Sequence, residues 1–189
     1  MKLEPKKTAL LTLDLQNGIF GFVPAAEAII PNAAKAVDFA RKKNFFIIHV
    51  GLGFAPGHPE LPDTESRWNR LKDNNLFVIG TPSAEFHSAV ARPEDLVVYK
   101  QLVGAFSENQ LHLILRSCGI ENLVLFGIST SGITLSTLRR AADLDYRCVV
   151  LQDACFDADP EVHRVLTEKV FPAQATVLSV DAFIAEQGE

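Results

Sequence analysis

The sequence predicts an α/β fold, three layers deep (α/β/α), with a six-stranded, mostly parallel sheet covered by helices on both faces. Two observations carry this. Apolar runs of strand length recur six times, and they are continuous rather than alternating, as strands buried on both faces require. Helical patterns lie between several of them, and this strand–helix alternation joins successive strands by crossovers in a parallel sheet. With 189 residues, 48% of them hydrophobic, the chain can bury a substantial core, so one domain spanning 1–189 is expected.

The strand runs are TALLTLD (8–14), FFIIHV (45–50), LVVYK (96–100), NLVLFGI (122–128), CVVLQD (148–153) and ATVLSV (175–180). Ala33, Ala36, Val37 and Ala40 repeat at helical spacing before the second run. Leu111, Ile114 and Leu115 do so before the fourth, with Gly119 as a stop. Leu135, Leu138 and Ala142 precede the fifth, and Val162, Val165 and Leu166 precede the sixth; Asp159 followed by Pro160 reads as the cap and first position of that last helix, which makes His163 peripheral. Residues 51–87 depart from the alternation, being rich in proline, glycine and polar side chains, and an excursion of this length suits a lid or an oligomer contact.

Composition excludes several classes. There are 18 basic and 23 acidic residues, a net charge of −5, and no basic cluster that could track phosphates, so nucleic acid is not an expected partner. No apolar stretch approaches the roughly 20 residues that span a bilayer, so no membrane partner is expected. The opening MKLEPKKTALLTLDLQNG has a short, interrupted apolar run and no small-residue cleavage site, and a cytoplasmic location follows. Cys118, Cys148 and Cys155 form no CxxC pair and are expected as buried free thiols.

Ligands of open α/β sheets bind beyond the carboxyl ends of the strands, which selects Asp14, His49, Lys100, Asp153 and the turn FGISTSGITLST (126–137). Asp14, placed straight after LLTL, must either reach solvent or find a cation, and Lys100 after LVVY is the natural partner. A lysine would lower the carboxyl pKa and desolvation would raise it; the residues leave the balance open, as they leave open a purely structural ion pair. The turn after Gly127 can present backbone N–H groups to an anion, or can serve simply as a helix start capped by Thr130 or Ser131.

LLTLDLQNGIF, VVYKQLVGAF, LVLFGISTSG and VVLQDACFD, in this order, resemble the isochorismatase-like hydrolase superfamily, also called cysteine hydrolases, over nearly the whole chain. The resemblance implies a Rossmann-like fold, a small-molecule substrate and a homo-oligomer. It matches the family's catalytic aspartate to Asp14 and its lysine to Lys100, and it implies a cis peptide at Ile128–Ser129 that turns the Ser129 and Ile133 N–H groups toward an oxyanion. The nucleophilic cysteine of the amidases in this superfamily should fall at Ile133, whose aliphatic side chain cannot attack a carbonyl. Isochorismatases, which carry glycine there, imply a route in which the aspartate handles a proton and water attacks. Ile133 fills that space, and Arg67 and Arg70 are the candidates for binding a substrate's carboxylates.

Gln16, Phe20, Trp68, Phe106, Ser129 and Thr130 are the expected substrate contacts. Thr130, Ser131 and Thr134 are poor nucleophiles because no histidine lies nearby in sequence. His49 and His58 lack the aspartate spacing of the superfamily's metal-binding members, so no metal and no cofactor are expected. Asp153 and Asp157 suit turns and caps. Two functions follow: a hydrolase working without a cysteine nucleophile, with Asp14 as general acid/base beside Lys100, or a catalytically silent relative that binds a small ligand or serves in assembly.

Overall fold

The structure is a computed structural model that describes residues 2–63 and 68–188. Six strands, β1 (Thr8–Leu13), β2 (Phe46–Leu52), β3 (Leu96–Lys100), β4 (Asn122–Gly127), β5 (Arg147–Leu151) and β6 (Ala175–Leu178), form one sheet in the order β3-β2-β1-β4-β5-β6. Every neighbouring pair is parallel. Helices α1 (Asn17–Phe22), α2 (Ile30–Lys42), α3 (Asn69–Asp73), α4 (Leu111–Ser117), α5 (Leu135–Asp143), α6 (Pro160–Val165) and α7 (Val180–Gly188) connect or flank the strands.

The continuous apolar runs have the expected cause. All residues of β1 and β4 are buried, because these strands occupy the centre of the sheet and are covered on both faces. The outermost strands β3 and β6 are only partly buried. Ala33, Ala36, Val37 and Ala40 form the buried stripe of α2, and small side chains there let the helix lie close against the sheet. The face of α5 is shifted from the predicted one: Thr137, Leu138 and Ala141 are buried rather than Ala142. Helix α6 buries no residue, and Val162 is among the exposed apolar side chains, so its spacing reflects helix formation without core packing.

The chain order reverses at the sheet centre: β1, β2 and β3 step outward on one side, β4, β5 and β6 on the other. A crevice opens at such a switch point, between the carboxyl ends of β1 and β4. Leu13 pairs with Gly127, and the Ile128 N–H donates to the Leu13 carbonyl at 3.0 Å, which holds the two strand exits together. A Cβ on Gly127 would stand 1.9 Å from that carbonyl oxygen, so only glycine permits the approach.

The 51–87 excursion is a wall built on its own small core. Leu52, Phe54, Leu61, Leu71 and Phe77 are buried together, with Phe22, Ile19 and Trp68 packed against them. Short bridges pin it at Phe54 to Val78 and at Gln16 to Phe86. Burial of these aromatic and aliphatic surfaces explains why the described residues of so polar a segment keep a defined place.

Beneath the sheet edge lies a buried charge network. His49, fully buried on β2, shares a hydrogen bond between its Nδ1 and the Thr12 hydroxyl at 2.6 Å, and its Nε2 lies 3.0 Å from the Asp95 carboxylate. Arg41 grips the same carboxylate with both terminal nitrogens, Nη1 at 2.6 Å, and the Arg92 N–H donates at 2.8 Å. These donors hold the Asp95 pKa far below the usual carboxylate range against the opposing pull of burial, while burial chiefly lowers that of His49. Both shifts have one sign: each group contributes stability above its unfolded-state pKa, and the contribution is lost as pH falls through the folded value. Asp95→Asn should therefore lower the unfolding free energy by ~3–5 kcal/mol at neutral pH, since it strands Arg41. The wild type should lose stability as pH drops below the ordinary histidine range, both effects being read from urea denaturation.

Candidate active site

Asp14 leaves β1 with φ 56°, a left-handed conformation that aspartate tolerates better than most residues. Its N–H donates to the Val50 carbonyl at 2.8 Å, fixing the side chain at the carboxyl edge of the sheet. Lys100 arrives from β3, level with Leu52. Its Nζ donates to Asp14 Oδ2 at 3.0 Å and to the Leu102 carbonyl at 3.1 Å. The lysine side chain is 1% exposed and the aspartate's 9%, so neither charge is satisfied by bulk water. A lysine has three N–H donors, and two are accounted for.

The other carboxylate oxygen, Asp14 Oδ1, is buried and has no hydrogen-bond partner among the described residues. Desolvation raises the Asp14 pKa against the opposing attraction of Lys100. In this apolar surrounding burial outweighs the cation, so the carboxyl pKa lies above the ordinary aspartate value.

The third part is the turn after β4. The Ile128–Ser129 peptide is cis. Residues Thr130–Thr134 form a single π-helical turn leading into α5. The cap differs from the predicted Thr130 or Ser131: the Ser129 hydroxyl accepts from the Gly132 N–H at 3.1 Å, and the Ser129 carbonyl accepts from the Thr134 N–H at 3.2 Å. Among the described residues the Ser129 N–H has no acceptor, so it is available to a ligand.

A cavity of about 340 Å³ joins these parts. Asp14, Lys100, Ser129, Gly132 and Ile133 form its polar end and floor; Ile19, Phe22, Val23, Leu52, Trp68, Val103 and Ile128 line the rest. Asp14, Lys100, Ile133, Ser129 and Trp68 are thus brought together. The remaining expected contacts lie elsewhere. Gln16 is fully buried, with Nε2 donating to the Leu52 and Ala84 carbonyls and Oε1 accepting from the Leu52 N–H, so it ties the excursion to β2. Phe20 packs its ring edge against His87 in the core, 5.5 Å between centroids. Phe106 stacks on Tyr146 and lines a neighbouring groove with Leu102, Val103 and Arg140. Arg70 lines an adjoining cavity, and Arg67 lies outside the described residues.

Thr130 is also turned away from the cavity, and here the fold corrects the sequence reading of His163. The His163 Nδ1 lies 2.8 Å from the Thr130 hydroxyl, although the two are 33 residues apart. Neither lines the cavity, and Thr130 is fully buried. The pair braces the turn from behind, assisted by the Thr130 N–H donating to the Phe156 carbonyl and the Ser131 N–H donating to Asp157. Asp153 likewise serves structure, accepting from the Val180 N–H at the start of α7 and from Asn32.

His58 donates or accepts nothing toward the cavity; its Nε2 bonds the Leu76 carbonyl at 2.7 Å. Among the described residues no group of three or more His, Cys, Asp or Glu side chains is arranged to hold a metal ion. Of the thiols, Cys118 is exposed, contrary to expectation, because it lies at the end of α4. Cys148 and Cys155 are buried, and burial pushes both thiols up to about 12. The apolar liners Ile19, Leu52 and Val103 carry no chemical signal in sequence; only their convergence makes them site residues.

Comparison with known proteins gives the family and the fold. The isochorismatase domain profile matches residues 8–182. The isochorismatase family protein YwoC of Bacillus subtilis is 31% identical over 188 residues, covering 98% of this chain and 97% of its own. The ureidoacrylate amidohydrolase RutB of Pseudomonas syringae is 29% identical, covering 97% of this chain and 80% of its own. The crystal structure of an isochorismatase family protein from Desulfovibrio vulgaris superposes with a TM-score of 0.84 at 24% identity, covering 97% and 99% of the two chains.

The burial of two thiols against the exposure of the third leads to a labelling prediction. Iodoacetamide should modify the native protein once, at Cys118, counted by intact mass.

Proposed function

Because the chain belongs to the isochorismatase family, we propose that it hydrolyses a small metabolite without a cysteine nucleophile, using Asp14 as general acid and then base, Lys100 as its electrostatic partner and the Ser129–Ile133 backbone as the seat of developing negative charge. The observation that carries this reading is the Asp14 carboxyl at the lining of an apolar cavity, with Lys100 securing Oδ2 at 3.0 Å and Oδ1 buried without a partner among the described residues. The raised pKa favours a carboxylic acid that can donate a proton. The proton passes to the leaving atom of an amide, or to the vinyl carbon of an enol ether, and Lys100 stabilises the carboxylate left behind. Water attacks the activated carbon and gives a proton to Asp14; the tetrahedral adduct then collapses, breaking the C–N bond to release the amine or, in the hemiketal, the C–O bond to release the alcohol as it takes the hydroxyl proton, and the site returns to its starting state.

Hydrolysis fits the relatives, among them an amidohydrolase. The absence of a thiol nucleophile is supported by Ile133 at the cavity floor and by the displacement of both buried thiols from its lining. A cytoplasmic homo-oligomer of single-domain chains, residues 1–189, completes the reading; exposed Ile79, Leu102 and Leu113 supply apolar surface for self-association, which light scattering would test. The second reading, a silent relative that binds without turnover, draws on the bulk of Ile133, which occupies the space an attacking group would need.

A panel of enol ethers and carbamoyl or acyl amides separates the two. Turnover is expected, and Asp14→Asn should lower kcat by ~10²–10⁴-fold, the usual contribution of a positioned proton donor. Since the free enzyme works as the acid, kcat/KM should fall as pH rises through the Asp14 pKa, which lies above the ordinary aspartate value. Alkylation of Cys118 should leave the rate unchanged. Unaltered activity in Asp14→Asn would exclude the mechanism, and saturable binding with no conversion of any substrate would favour the silent reading.

A further inference from the structure

A second cavity, of about 220 Å³, adjoins the first and shares with it the walls Ile19, Phe22, Leu52 and Trp68. Its own liners are Leu71 and Phe77 from the buried core of the excursion, and Arg70. Asp14 and Lys100 thus line one cavity and Arg70 the other, with the aromatic residues Phe22 and Trp68 common to both.

The charges along them are unequal. Lys100 is 1% exposed and already donates to Asp14 Oδ2 at 3.0 Å and to the Leu102 carbonyl at 3.1 Å. Among the described residues Arg70 has no carboxylate partner, and those lining the two cavities include no acid other than Asp14. The guanidinium carbon sits 4.5 Å from the centroid of the Phe22 ring, a cation–π contact that orients the group over the apolar wall. A guanidinium presents its donors as a planar fork, which matches a carboxylate in two parallel hydrogen bonds. On a chain of net charge −5, a lining cation without an acidic partner among the described residues is a local exception to the field that otherwise repels anions.

From this arrangement we propose that the site takes a flat, apolar monocarboxylate, its carboxylate forked by Arg70 and its hydrolysable group delivered to Asp14, with the body between sandwiched along Phe22 and Trp68. The inference rests on reading the cavity as the substrate site. It excludes dianions with a second charge near the scissile end, because that end is walled by Ile133, Ile128 and Val103 and its lysine is already paired.

The probes are trans-cinnamate and its neutral isostere trans-cinnamamide, titrated into the intact protein by calorimetry. Emission of Trp68, the chain's single tryptophan, reports the site. Cinnamate should bind about 5- to 10-fold more tightly than the amide, with a preference that shrinks as salt is added. Arg70→Met, which keeps an apolar stem on an exposed position, should erase the preference while changing amide affinity less than ~2-fold. Arg70→Lys, keeping the charge without the fork, should retain an intermediate preference. Equal affinity for acid and amide, a preference that survives Arg70→Met, or no saturable response to either probe would each overturn the proposal. Turnover is not needed for any of these readouts, so a protein that binds cinnamate through Arg70 but converts no substrate would refute the hydrolase reading alone.

Discussion

A buried carboxylate held by a buried ammonium organises the carboxyl edge of this sheet. Asp14 and Lys100 stand 86 residues apart in sequence and on strands separated by β2, yet they meet at 3.0 Å with almost no access to water. Removing charges from water costs several kcal/mol per ion, and the attraction between them repays this only where the remaining polar atoms are also satisfied. Here one oxygen is not. The Leu102 carbonyl helps the lysine, while Asp14 Oδ1 is buried without a donor among the described residues. An arrangement tuned only for stability would complete that hydrogen bond. The deficit leaves burial free to raise the carboxyl pKa against the pull of Lys100.

The surroundings of the pair each meet one requirement that it imposes. The Leu13 and Gly127 exits must lie close enough for the turn to face Asp14, which the absence of a side chain at Gly127 permits. The turn must be held from behind, and Thr130, Ser131, His163 and Asp157 hold it without entering the cavity. Water must be limited, and the small core around Phe54 and Phe77 supports an apolar wall against the crevice. Gln16, fully buried just beyond the end of β1, uses its side-chain hydrogen bonds to fasten that wall to the sheet.

The His49–Asp95–Arg41 network presents the opposite electrostatic design. Asp95 receives donors on both oxygens, so its carboxylate is strongly favoured, whereas Asp14 receives one cation and is left otherwise bare. Two buried carboxylates in one sheet are thus driven in opposite directions by their hydrogen-bond counts. The saturated one ties β2, β3 and α2 together; the unsaturated one opens on the cavity.

By itself the sequence determined the class of fold, the strand positions to within one or two residues, the centrality of Asp14, Lys100 and the 126–137 turn, and the aliphatic residue at the cavity floor. These were legible because they rest on local periodicity and on costly residue types, such as a carboxylate ending an apolar strand, whose meaning needs no distant partner. Tertiary structure alone decided the rest. Whether Gln16, Phe20, Phe106 and Thr130 face a ligand depends on rotations and partners up to 68 residues away, as with the Gln16 to Ala84 bond. The contact of His163 with Thr130, the convergence of Ile19, Leu52 and Val103, and the sign of the Asp14 pKa shift are likewise properties of packing. Burial and proximity are set by three-dimensional neighbours, and a one-dimensional pattern records the residue that pays desolvation without recording what surrounds it.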